Sequence, residues 1–269
     1  MHVPFTPKKA DELFDQLPSF AAARLREISE MSQPYIDATD KYARLNSRVI
    51  TLLGQIAPVT TQDVVIRDLT ADVFDFLYEA RDLIIGGKIP IAYPLARRAY
   101  ESLSLLALCA LDVDWAEKWH NGKKVSNGEV RKHLSKHPMG ESETDLKALY
   151  DFFCVATHPN RDLVASRRLG EGNEFVLGMI GMPDLYLVVD YCSKHIDLWH
   201  WLTGVVTYFY REWLSEHDRS YYSAYKTTIT EGQRTKKWLV ENMPRLKAES
   251  LAIDANDGWM PVDGKFQTL

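Results

Sequence analysis

The chain has 269 residues, 46% apolar and 26% charged, with a net charge of -5 and a pI near 5.9. That balance excludes the disordered and collagen-like classes and supplies enough apolar material for a core. Mild acidity argues against general electrostatic adhesion to double-stranded DNA or acidic lipid, while leaving room for a local basic patch.

The amino terminus, MHVPFTPKKADE, has no apolar stretch of the export type, so a cytoplasmic location is expected. Thr6-Pro7 is a capping residue followed by a first-turn proline, Pro18 breaks the helix it opens, and Ser19 restarts it. From Tyr35 to Ile56 apolar side chains recur at three- and four-residue steps, which with its predecessor predicts an amino-terminal helical hairpin over residues 1–58. A core bundle is expected over residues 59–218. Thr60-Thr61-Gln62-Asp63 starts its first helix and Gly86-Gly87 ends it. Pro90 and Pro94 open the next, which runs to about Leu111 and is apolar on nearly every side in SLLALCAL, as a central helix must be.

Asp114 to Gly122 and Gly128 to His137 read as two short helices, with Asn121-Gly122 and Asn127-Gly128 as turns. Ser142-Glu143-Thr144-Asp145 starts a helix with Leu146, Leu149, Tyr150, Phe153 and Thr157 on one side; Pro159 disfavours helical geometry at His158 and should end it there. A glycine-bearing loop with a small hairpin at EFVLGMIG leads to a long helix from about Asp184 to His217. Its nearly uncharged run, Leu198 to Tyr210, is shorter than the ~18–20 residues a membrane span needs. Residues 219–269 form a basic, aromatic helical extension with a turn-rich, loosely attached tail. The predicted class is all-α, a multi-helix bundle.

Arg97 and Glu101, four residues apart, share a helix face and make either a structural ion pair or a group held ready for a phosphate or a histidine. His158 stands beside Asn160, Arg161, Arg167 and Arg168, a setting suited to acid–base work on a phosphodiester, or else it caps its own helix or bonds Glu101 as a strut. Between Ser220 and Lys247, Tyr221, Tyr222, Tyr225 and Trp238 interleave with Lys226, Arg234, Lys236, Lys237, Arg245 and Lys247. Cations neutralise phosphates and rings stack on bases, so this stretch reads as a single-strand RNA surface or as an amphipathic helix that docks by its rings.

No metal and no cofactor is expected. Glu117-x-x-His120 is half of a di-iron motif without its second half, His195 and His200 do not share a face, and Asp197-x-x-His200 is a lone pair. P-loop, dinucleotide and serine-hydrolase signatures are absent from the sequence. Cys109, Cys154 and Cys192 each lie in an apolar run, as buried reduced thiols do.

The succession PLARRAYESLSLLALCALD, DWAEKWHNGKKVSNGEVRKHL and LYDFFCVATHPNRDLVASR resembles a family of uncharacterised bacterial all-helical proteins of unknown function. The family's Arg-x-x-x-Glu helix, Trp-x-x-Gly step, Val-Arg helix start and terminal His-Pro match Arg97, Glu101, Trp119, Gly122, Arg131 and His158. The resemblance implies a helical bundle and no activity. Some such proteins are similar to the HEPN superfamily, dimeric bundles of toxins and phage defence, many of which cut RNA with Arg-x(4–6)-His. Arg131 to His137 and Arg211 to His217 match that spacing, with Lys132 and Glu212 where a polar residue usually follows the arginine.

The expectation is a HEPN-like intracellular defence or stress protein acting on RNA, as a metal-independent endoribonuclease and a homodimer. His158 would be its acid–base group, Arg97, Arg131 and Arg161 its phosphate contacts, and Glu101 their orienter. Arg211 and His217 form a second candidate pair, and Lys226, Arg234, Lys236, Lys237 and Trp238 the RNA surface. The alternative is a non-catalytic helical interaction module in which Arg97, Glu101 and His158 form only a polar strut.

Overall fold

A computed structural model describes residues 32–55, 58–86, 88–137, 142–155, 157, 168–169, 174–175 and 185–256. The expected first helix of the amino-terminal hairpin and the tail beyond residue 256 lie outside them. Among the described residues the fold is all-α, with nine helices: α1 (32–53), α2 (Thr61–Ile85), α3 (Ile89–Leu111), α4 (Val113–His120), α5 (Asn127–Leu134), α6 (Glu143–Val155), α7 (Leu185–Phe209), α8 (Arg211–His217) and α9 (Tyr221–Asn256).

Local chemistry explains most of the boundaries. At the start of α2 the Thr60 hydroxyl accepts from the Asp63 amide at 3.1 Å while the Asp63 carboxylate accepts from the Thr60 amide at 3.0 Å, a reciprocal capping box. Pro90 sits in the first turn of α3, where its missing N–H costs nothing. The Trp-x-x-Gly step is a helix stop: the amides of Lys123 and Gly122 donate to the carbonyls of Lys118 and Trp119, and Gly122 takes φ of 82°, which favours glycine.

The long helices alternate in direction. Tyr35 meets His195 and Asn46 meets Thr203, so α1 runs with α7. The Tyr191 hydroxyl reaches the Ala92 carbonyl and Tyr100 lies against Trp201, so α3 runs with them too. Against these three run α2, α6 and α9, tied by Ser102 to Asp72, by Tyr100 to the Leu146 carbonyl, and by Lys236 to Asp197. One core collects their apolar stripes: Tyr42, Leu45 and Val49 of α1, Leu69, Val73 and Leu77 of α2, Tyr100 and Leu103 of α3, Phe153 of α6, and Trp199 and Leu202 of α7. Helix α1 thus belongs to this core. Helix α9 lies close against it, because a Cβ at Gly232 would collide with the Tyr42 hydroxyl.

Four local readings differ from the structure. The helix expected from Asp184 to His217 breaks at Tyr210, although the Tyr210 amide still reaches the Val206 carbonyl and its own carbonyl accepts from Leu214. No proline or glycine stands there, and the Tyr210 ring is buried against Phe209 and Trp213. Helix α6 stops at Val155, short of His158. Asn127-Gly128 forms the first turn of α5, capped by Ser126, whose hydroxyl accepts from the Glu129 amide. The two-residue strand Glu174–Phe175 pairs upstream, antiparallel to Arg168–Leu169, while the rest of EFVLGMIG lies outside the described residues. No helix among the described residues is long and apolar enough to cross a membrane.

Candidate functional site: an arginine–tyrosine cluster on α3, α5 and α6

Arg97 and Glu101 occupy successive turns of α3, and Arg97 Nε donates to Glu101 Oε1 at 3.1 Å. Neither is sealed in the core: their side chains are 23% and 30% exposed. Arg97 Nη2 donates to the Tyr150 hydroxyl on α6 at 2.9 Å, and the guanidinium lies 5.2 Å from the centre of the Tyr150 ring. From α5 a second guanidinium, that of Arg131, lies 4.6 Å from the same ring while its Nη1 donates to Asn127 Oδ1 at 2.7 Å. Two cations thus share one aromatic ring, with the Glu101 carboxylate bonded to one of them.

Three helices must be in register for this to happen. The Tyr100 hydroxyl donates to the Leu146 carbonyl at 2.6 Å, which pins the start of α6 to the middle of α3. One turn on, Tyr150 falls beside Arg97. Burial, and then its neighbour Cys154, push the Tyr150 phenol above its ordinary value, so it stays a neutral hydroxyl that can accept from Arg97. At Arg97 burial is the largest influence and works against the charge, but the hydrogen bond to Glu101 together with the neighbouring Cys154, Tyr150 and Glu101 groups outweighs it, raising the pKa.

Of the residues singled out from sequence, Arg97, Glu101 and Arg131 meet around Tyr150. His158 and Arg161 lie outside the described residues. Arg131 turns to Asn127 and Tyr150, and His137 follows the end of α5 at Leu134. Arg211 and His217 are both exposed on α8; His217 Nδ1 lies 2.9 Å from the Trp213 carbonyl, and its ring stacks on Trp213 at 4.6 Å. On α9, Lys226, Arg234 and Lys237 are exposed, Lys237 lying 3.7 Å from Glu241, whereas Lys236 is held by Asp197 at 2.5 Å. Trp238 is 39% exposed, while Tyr221 is buried and hydrogen-bonded to Thr207.

Tyr150, the centre of the cluster, was read from sequence only as part of an apolar stripe. Its hydroxyl, in the middle of a stripe whose neighbours Leu146, Leu149 and Phe153 are apolar, was the available signal. A second polar group was also missed. His195 on α7 is fully buried, with Nδ1 2.8 Å from the Tyr35 hydroxyl, and burial pushes it down to about 3. The neutral ring therefore accepts from the Tyr35 hydroxyl at Nδ1, while its buried Nε2 has no hydrogen-bond partner among the described residues. Beside it Arg81 donates to Thr39 Oγ1 at 3.0 Å, to Asp82 at 2.9 Å and to Asp40.

Among the described residues no three His, Cys, Asp or Glu side chains converge as a metal site requires. The fold and the cluster together define an all-α bundle with a half-exposed cationic–aromatic site. The chain matches no protein-family model, no curated protein and no solved structure.

Proposed function

We propose that the chain is an intracellular RNA-acting protein of HEPN-like type, which holds a phosphodiester at the Arg97–Tyr150–Arg131 cluster. One observation carries this reading: two guanidiniums converge on a single ring with only one carboxylate to balance them. Arg97 Nη1 and Arg131 Nη2 have no protein partner among the described residues, and a guanidinium fork matches phosphate oxygens. Glu101 holds Arg97 in place. His158, three residues past the end of α6, is assigned the acid–base role, with Arg161 as a further phosphate contact. Lys226, Arg234 and Lys237, with Trp238, extend the RNA-binding surface along α9, and Lys236 joins it on exchanging Asp197 for a phosphate. A homodimer belongs to the same reading, supported by large apolar side chains left in water, Trp238 and Tyr208 among them.

A different observation favours the interaction-module reading: Glu101 and the Tyr150 hydroxyl already engage two of the three Arg97 nitrogens, as a strut would. His158→Ala separates the two. The RNA reading expects a labelled single-stranded RNA to remain bound, its cleavage to be lost and the melting temperature to hold. A fall in melting temperature, with no RNA bound or cut by the parent chain, supports the strut.

A further inference from the structure

An apolar groove of about 880 Å³ lies between α3, α6, α7 and α9, apart from the arginine–tyrosine cluster. Ala107 and Ala110 of α3, Leu149 and Phe152 of α6, and Ile196 and Val205 of α7 line it. From Lys194 to Tyr208 its α7 edge measures about 21 Å at a rise of 1.5 Å per residue. Its charges are balanced where they are drawn in: Lys236 donates to Asp197 at 2.5 Å, and Lys194 has Asp190 for a neighbour, while Asp145 stands in water. Such a lining suits an occupant with an apolar face and no net charge, because an unpaired ion would find no partner there.

A second copy offers no such face from its described helices. Their exposed large apolar side chains stand singly: Tyr78 on α2, Ile91 on α3, Val113 on α4 and Tyr208 on α7, while Trp238 and Val240, two residues apart on α9, do not share a side. The segment before α1, outside the described residues, offers one by its sequence. Ser19 to Met31 reads SFAAARLREISEM, in which Ala21, Leu25 and Ile28 recur at four- and three-residue steps with Phe20 beside them. Arg24 and Arg26 balance Glu27 and Glu30. As a helix, Ser19 to Ile28 would measure about 15 Å, within the length of the groove.

The start of α1 also lies within reach. Thr235 Oγ1 donates to the Pro34 carbonyl at 3.4 Å and Tyr35 meets His195, so α1 begins level with the Lys194 end of the groove. Helix α9 stands between the two: Thr235 faces α1, whereas Gln233 and Lys236 line the groove. A helix with its side chains is about 10–12 Å across. Ile28 to Ser32 is four Cα steps, a reach of up to about 14 Å, so Ser29, Glu30 and Met31 suffice to cross α9. We infer that this groove is the docking site of the chain's own residues 19–28, which enter at the Lys236 end and seat Phe20, Ala21, Leu25 and Ile28 against α3, α6 and α7. The amino-terminal hairpin then straddles α9.

The test is hydrogen exchange on the full chain without RNA, at two protein concentrations tenfold apart. Amides of residues 19–28 should exchange at least about tenfold more slowly than free chain, equally at both concentrations. Ala110→Trp, which fills the groove, should return them to the free-chain rate while α2 keeps its protection. In a second variant, Leu25→benzoylphenylalanine, illumination should attach position 25 to Ala110, Leu149 or Val205 of the same chain; this arm decides the matter if Ala110→Trp disturbs α2. Free-chain exchange in the parent overturns the inference, as does protection that persists in a folded Ala110→Trp chain. Protection lost on dilution, or attachment between copies, would give the groove to a second copy, and attachment elsewhere in the chain would place the segment off the groove. With no RNA present, each outcome is independent of the RNA reading.

Discussion

Two arginine sites in this bundle use the same group to different ends. At the buried one, Arg81 spends all three nitrogens on Thr39, Asp82 and Asp40, with its side chain 9% exposed. At the half-exposed one, Arg97 and Arg131 crowd a single ring, and each keeps an Nη group without a partner among the described residues. A buried arginine must be fully compensated, since an unpaired charge in the interior is costly. Near the surface water covers the shortfall, so surplus donors persist there and remain available to an anion.

Removing each arginine tests that contrast. Arg81→Ala leaves Thr39 without its donor and two carboxylates without their cation; a loss of about 2–4 kcal/mol is expected by chemical denaturation, lowered from the fully buried case because both carboxylates are half-exposed. Gly232→Ala should cost about 1–3 kcal/mol, as overpacking against a well-fixed ring does. A methyl group tolerated there without loss of stability would mean that α9 and α1 are not held as close as described.

Acid should act on the buried region through His195. His195 is held near pKa 3 in the folded chain against 6.5 for an ordinary histidine, so the unfolded chain takes the proton first. Stability is therefore full above about pH 6.5 and falls by about 1.4 kcal/mol per pH unit as pH drops toward 3. His195→Gln should flatten that slope in denaturation curves taken across the window, whereas an unchanged slope would place the acid sensitivity elsewhere. The smallest stability effect belongs to Arg97→Ala, within about 1 kcal/mol, since its pair with Glu101 is substantially solvated.

Sequence reading reached what local chemistry determines. The Thr60–Asp63 box and Ser142 settle helix starts by side-chain caps, Pro90 by fitting a first turn that needs no N–H, and Gly122 by its left-handed backbone after α4. Periodicity put Arg97 and Glu101 on one face because that face is a property of α3 alone. It did not foresee that Tyr150 would be their partner, since the register of α6 on α3 depends on a tertiary hydrogen bond, Tyr100 to the Leu146 carbonyl. The break at Tyr210 is hidden because neither proline nor glycine marks it. Pro159 points to a helix end at His158, but α6 ends earlier, at Val155, and His158 lies outside the described residues.

The cluster around Tyr150 is tested most directly by the salt dependence of single-stranded RNA affinity in Arg131→Ala. Weaker binding at every salt concentration is expected, with a log–log slope shallower by about 0.7, as loss of one phosphate contact to a single strand requires. Affinity and slope equal to those of the parent chain would contradict a phosphodiester site there.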